Sequence, residues 1–106
     1  MKSILMPTLL LVVSLTLIPY VFASSDPIPG VDVVVEKIPP GHSIGRVTTD
    51  SKGVIALKGD FERGYYEVRN RDNTIRAGIE HQGGQIRWQL LKSGDSKKPW
   101  KLVTSR

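Results

Sequence analysis

The chain has 106 residues, enough for one small domain, and contains no cysteine, which excludes disulfides, thiol nucleophiles and cysteine-based metal sites. Its formal net charge is +5, but the charge is unevenly distributed. Residues 24–83 carry eight basic and nine acidic side chains, whereas residues 84–106 carry six basic side chains against Asp95 alone. The basic character is therefore a property of the C-terminal segment.

The first 23 residues have the pattern of a secretory signal peptide. Lys2 is their only charged residue, and an uncharged apolar run follows it. Pro19 interrupts this run shortly before its end, and Val21 and Ala23 supply small residues at the positions that signal peptidase reads. These features predict cleavage near Ala23.

Cleavage there would leave residues 24–106 as an exported chain, either periplasmic or secreted. The alternative is a retained membrane anchor, because the apolar run at residues 4–23 is about long enough to span a bilayer. The absence of cysteine excludes a lipoprotein anchor and fits a bacterial envelope better than a disulfide-rich extracellular module.

Seven short strands are predicted in the exported chain, where apolar and polar residues alternate between turn signals. The proline-bearing leader at 24–30 is expected to be extended or disordered. The predicted strands cover residues 31–38, 44–50, 54–59, 65–70, 74–81, 85–91 and 100–106. No stretch has the period of a helix. We therefore predict one all-β domain at 31–106, a small antiparallel β-sandwich.

The turns and strands between residues 48 and 68 carry a recognisable pattern. It consists of a Thr-Asp-x-x-Gly turn, alternating apolar residues and a Gly-x-Tyr-x-Val strand. The matching residues are Thr49, Asp50, Gly53, Ile55, Leu57, Phe61, Gly64, Tyr66 and Val68. This pattern resembles the carboxypeptidase regulatory-like family and its transthyretin-like and collagen-adhesin B-type relatives.

The resemblance covers residues 30–70, roughly half of the exported chain. It implies a transthyretin-like sandwich in which the apolar residues of the pattern point between the sheets, and it says little about function. The chain departs from the family where Arg63 replaces the usual proline before Gly64.

Side chains with catalytic or metal-binding chemistry are few and scattered. We interpret Asp50 as a residue that hydrogen-bonds its own turn, since calcium requires about six to eight gathered oxygens. His42 and His81 are the only imidazoles, and neither has a motif-spaced carboxylate or serine. We therefore expect no enzyme activity, no metal and no cofactor.

The candidate partner-binding residues are mostly the aromatic and basic residues of the C-terminal segment. They are Tyr65, Arg87, Lys97, Lys98, Trp100 and Lys101. Trp88 is not among them, because it alternates in register with Ile86 and Leu90 and is predicted to be in the core. The alternative interpretation is that the lysines only keep a loop soluble.

The leading functional hypothesis is a non-catalytic binding or structural accessory module of the bacterial envelope. It would contact a protein partner through an exposed edge strand or through one face of the sandwich. The second hypothesis is that the basic, tryptophan-containing segment binds an acidic polymer or a membrane surface. The sequence leaves the oligomeric state open.

Overall fold

The computed structural model describes residues 26–105, which form seven strands in two antiparallel sheets. The strands are β1 Asp32–Ile38, β2 His42–Thr48, β3 Val54–Phe61, β4 Gly64–Asn70, β5 Arg76–His81, β6 Gly84–Asp95 and β7 Lys98–Thr104. One sheet has the order β2-β1-β4-β5, and the other has the order β3-β6-β7. The predicted all-β sandwich is confirmed.

The predicted signal peptide at 1–23, with its alternative as an anchor, lies outside the described residues. Within 26–105 no helix has the length and hydropathy needed to cross a bilayer. The described part of the leader runs extended beside β6: the Ile28 amide donates to the Leu90 carbonyl at 3.0 Å, and the Lys92 amide donates to the Asp26 carbonyl at 2.8 Å. This segment therefore lengthens the three-stranded sheet along β6.

The core lies between the sheets and is built from the inward-facing residues that alternate along the strands of both sheets. Its buried members are Val33, Val35, Ile55, Tyr66, Val68, Ala77, Ile86, Trp88, Leu90 and Leu102. Trp88 is only 1% exposed, which confirms its predicted place in the core. Leu57 and Phe61 pack against this cluster but are only partly buried. Burial of each large apolar side chain contributes about 1.5–3 kcal/mol.

Three rings form the centre of this core. Tyr66, His81 and Trp88 lie with ring centroids 5.5 to 5.8 Å apart, and His81 meets both other rings edge-on. His81 Nε2 lies 3.0 Å from the Gly84 carbonyl, and the Tyr66 hydroxyl donates to the Glu62 carbonyl at 2.6 Å. The sequence places His81 beside a turn, but in the structure it is a buried packing residue.

The turn before β3 is held by the side chain of Asp50, as the sequence predicts. Asp50 Oδ1 accepts hydrogen bonds from the Lys52 amide at 2.8 Å and from the Val54 amide at 2.9 Å. These two backbone donors lower the pKa of Asp50. Gly53 has a φ of 76°, a left-handed conformation that favours glycine.

The segment 92–99 lies between the predicted strands 85–91 and 100–106, where a polar loop is expected, but in the structure it is largely a β-hairpin. β6 continues to Asp95, β7 begins at Lys98, and Lys98 pairs with Asp95 across the turn. The ladder shifts register here, and Gly94 takes a φ of 85°. Burial of Leu102 in the core requires that β7 pair with β6, and this pairing extends into the polar segment.

Candidate functional site

A groove runs between β5 of one sheet and β7 of the other, and it has a volume of about 500 Å³. We call it the β5–β7 groove. Its lining includes five of the six candidate partner-binding residues, namely Tyr65, Lys97, Lys98, Trp100 and Lys101. The remaining lining residues include Glu67, Ile75, Arg76, Gly78 and Leu102. Residues that are far apart in the sequence thus meet at one surface.

Arg87 is not part of this groove. It lines a smaller hollow of about 160 Å³ together with His81, Gln82 and Thr104. This hollow lies where the ends of β5 and β7 meet the start of β6. Tertiary structure therefore separates Arg87 from the other five candidates.

The basic charge of the groove lies on its β7 side. Lys97, Lys98 and Lys101 are exposed, and among the described residues none of them has an ion-pair partner within 4.0 Å. The Lys97 backbone amide donates to Asp95 Oδ1 at 2.9 Å within the hairpin turn. This rim can therefore attract an acidic partner.

The opposite wall of the groove is neutralised by a network of ion pairs. Arg76 Nη1 lies 2.9 Å from Glu36 Oε1 and 2.7 Å from Glu67 Oε1. Arg69 Nε lies 2.9 Å from Glu36 Oε2. The bonds from Arg69 and Arg76 lower the pKa of Glu36, and the bonds from Glu36 and Glu67 raise the pKa of Arg76.

Glu36 is the central member of this network and is only 8% exposed. No motif or spacing in the sequence singles out Glu36. The available signal was its position in β1, where Val34 and Glu36 occupy the face opposite the core residues Val33 and Val35. Only the pairing of β1 with β4, and of β4 with β5, brings both arginines to it.

Tyr65 lies flat across β5 because residue 78 is a glycine. A Cβ atom added at Gly78 would lie 1.8 Å from the Tyr65 hydroxyl oxygen. Tyr65 is 38% exposed, and its hydroxyl lies 3.5 Å from Glu67 Oε2. Burial against β5, followed by the nearby charges of Glu67 and Glu80, raises the pKa of Tyr65.

Gly78→Ala is expected to push Tyr65 off β5 with little loss of stability, since an exposed side chain can move away. The pKa of Tyr65 should then fall towards its ordinary value of 10.0, because the contact with β5 and the approach to Glu67 are both lost. Alkaline titration of the tyrosine ring by NMR measures this value, and Tyr65→Phe identifies the resonance. An unchanged pKa would contradict the packing of Tyr65 against β5.

Trp100 is half-buried and connects the groove to a second, apolar hollow. This hollow has a volume of about 470 Å³, and its lining combines the apolar residues Ile28, Pro99 and Trp100 with Lys92, Asp95 and Ser96. Pro99 and Trp100 also line the β5–β7 groove. A partner in the groove can therefore meet basic side chains and an apolar surface within a short distance.

Fold and groove together define a small antiparallel β-sandwich with a basic, aromatic groove along one edge. Comparison of the chain with protein-family models, curated proteins and solved structures finds no significant match. The resemblance to carboxypeptidase regulatory-like and transthyretin-like domains therefore stays a prediction. Among residues 26–105, no three His, Asp or Glu side chains are grouped to hold a metal ion.

Proposed function

We propose that the chain is a non-catalytic interaction module that binds a protein partner in the bacterial envelope after export. The β5–β7 groove is the observation that carries this proposal, because it gathers Tyr65, Trp100 and three lysines from separate parts of the chain. Export rests on the sequence pattern of residues 1–23.

The mixture of groups in the groove favours a protein partner. Protein interfaces combine an aromatic or apolar centre with a polar rim, and tryptophan and tyrosine are enriched among the residues that contribute most to binding. Trp100 beside the apolar hollow supplies such a centre, and Lys97, Lys98 and Lys101 supply the rim. Residues of β5 and β7 form its two sides, and a groove between two strands suits an extended chain.

The immobilised chain is expected to retain a discrete protein from an envelope extract, including at moderate salt, because part of the contact is apolar. A variant with Lys97→Gln, Lys98→Gln and Lys101→Gln should retain about tenfold less, since each exposed ion pair contributes little alone but three act together. Mass spectrometry of the retained protein measures both results. Point substitutions are preferable to truncation after Gly94, which would remove β7 and the buried Leu102.

The matched control carries Lys52→Gln, Lys58→Gln and Arg63→Gln. These three side chains are exposed and lie outside the groove. Their substitution removes the same three positive charges as the groove variant does. Equal loss of retention in both variants would mean that net charge, and not the groove, governs binding. Failure of the wild-type chain to retain any protein would contradict the proposed function.

A second candidate is binding of an acidic polymer or a membrane surface. The observation in its favour is that Lys97, Lys98 and Lys101 have no ion-pair partner among the described residues. Binding of this kind depends on ion release and should weaken steeply as salt is raised. Retention lost at moderate salt, with no discrete protein bound, would favour this candidate over the first.

A further inference from the structure

We infer that the β5–β7 groove takes an extended, acidic segment of the partner protein, which adds as a strand to the outer edge of β7. This inference rests on the proposed function and specifies the kind of segment that is bound. Three features carry it: the direction of the backbone groups of β7, the state of the other sheet edges, and the charge beside β7.

The backbone of β7 presents unused hydrogen-bonding groups. The Ser105 amide donates to the Arg87 carbonyl at 2.9 Å, which fixes the phase of the ladder between β6 and β7. Because hydrogen bonding alternates along an antiparallel strand, every second residue of β7 directs its N–H and C=O away from β6. These residues are Trp100, Leu102 and Thr104. β7 ends its sheet, so these groups face no partner strand among the described residues.

The other three sheet edges are less suited to pairing. The ladder of β2 with β1 contains a register shift, which interrupts the strand. The ladder of β3 is irregular between Leu57 and Phe61. β5 has only six residues, and Tyr65 lies across it at Gly78. β7 also shifts register, but only next to its hairpin, and the rest of the strand pairs without interruption over a longer run than in β2 or β3.

The charge at this edge selects against a second copy of the chain and in favour of an acidic strand. Two copies pairing through β7 would bring Lys97, Lys98 and Lys101 of each copy together, and lysines at a sheet edge oppose such self-pairing. The same three lysines would attract an acidic segment. Arg76 on the opposite wall is already bound to Glu36 and Glu67, so the attraction is concentrated on the β7 side.

The size of the groove agrees with an extended segment. β7 has seven residues, Lys98 to Thr104. Main-chain hydrogen bonds to β7 would provide affinity, while alternate side chains would meet the lysines and the groove around Trp100. The segment expected to bind is therefore rich in Asp or Glu, and it has β-branched or aromatic residues at alternate positions.

The test is a selection from a phage-displayed library of random segments of about twelve residues, long enough to cover β7 at about 3.3 Å per residue. The purified chain should enrich segments with net negative charge. An enriched segment should bind about tenfold more weakly to the variant with Lys97→Gln, Lys98→Gln and Lys101→Gln, and normally to the control with Lys52→Gln, Lys58→Gln and Arg63→Gln.

Two further measurements separate strand addition from simple charge attraction. Binding should slow amide exchange at Trp100, Leu102 and Thr104, because only these amides of the ladder gain a new acceptor. N-methylation of the residues of the enriched segment whose amides pair with β7 should abolish binding. N-methylation of the residues between them, whose amides point away from β7, should not. Unchanged exchange at these amides, or equal binding of both N-methylated segments, would overturn the inference.

An absence of enriched segments, enrichment without acidic residues, or equally strong binding of polyphosphate would also overturn it. The groove inference and the proposed function can fail separately. If the envelope extract yields a protein that the groove variant retains as well as wild type, the interaction function stands and the groove inference fails. If wild type retains no protein, the proposed function itself fails.

Discussion

Trp88→Ala is expected to abolish stable folding at 37 °C, the largest effect of any substitution considered in this chain. Trp88 is 1% exposed and contacts the rings of Tyr66 and His81 at the centre of the core. Its removal leaves a cavity, and such a change costs about 3–5 kcal/mol. A cysteine-free domain of this size has a total stability of about 5 kcal/mol or slightly more, so little would remain. Circular dichroism during urea unfolding measures the loss.

Trp100→Ala is the matched control for this prediction. Trp100 is half-buried at the groove and only partly packed against the core. Its removal should cost about 1 kcal/mol in stability, close to the value for a typical substitution, but it should weaken partner binding. If both substitutions reduced the free energy of unfolding equally, the assignment of one tryptophan to the core and the other to the groove would be wrong.

Glu36→Gln is expected to lower the free energy of unfolding by about 1–3 kcal/mol, because a hydrogen-bonded charge is lost while Arg69 and Arg76 remain. The effect should be below that of breaking a fully buried ion pair, since the Arg76 side chain is 38% exposed and water can replace part of the contact. Glu80→Gln, which changes an exposed residue of the same sheet, should cost almost nothing.

The same residue predicts a pH dependence. The hydrogen bond from Arg69, followed by the contacts of Arg76, holds the folded-state pKa of Glu36 below its ordinary value of 4.5. A carboxyl group with a lowered pKa in the folded state stabilises the fold at pH values above its pKa in the unfolded chain. This stabilisation is lost as the pH falls through its pKa in the folded state. Wild type should therefore lose stability on acidification below about pH 4.5 more than Glu36→Gln does. Parallel curves for the two proteins from pH 6 to pH 2 would contradict the role of this network.

Local patterns in the sequence were sufficient to predict the presence of the seven strands and much of the core. Alternation placed Ile86, Trp88 and Leu90 on one face of a strand, and these residues are buried. Side-chain direction alternates along any strand, so the period of the pattern identifies the buried face without knowledge of the partner strand. The turn at Asp50 was predictable for a similar reason, because its hydrogen bonds join residues within four positions.

The hairpin at 92–99 was predicted wrongly for a physical reason. Its residues are polar and include glycine and proline, and local propensity favours a loop. Pairing of β7 with β6 overrides this propensity, and the same pairing places Leu102 in the core. β-strand preference depends more on such neighbours than on the residue itself.

The sequence by itself determined the class of fold, much of the core and the excess of positive charge near the C-terminus. Tertiary structure decided which charges act together. It joined Glu36 to Arg69 and Arg76 across three strands, and it separated Arg87 from the lysines of the groove. Ion pairs and grooves between sheets depend on strand order and register, which arise from contacts between distant residues and leave no periodic trace in the chain.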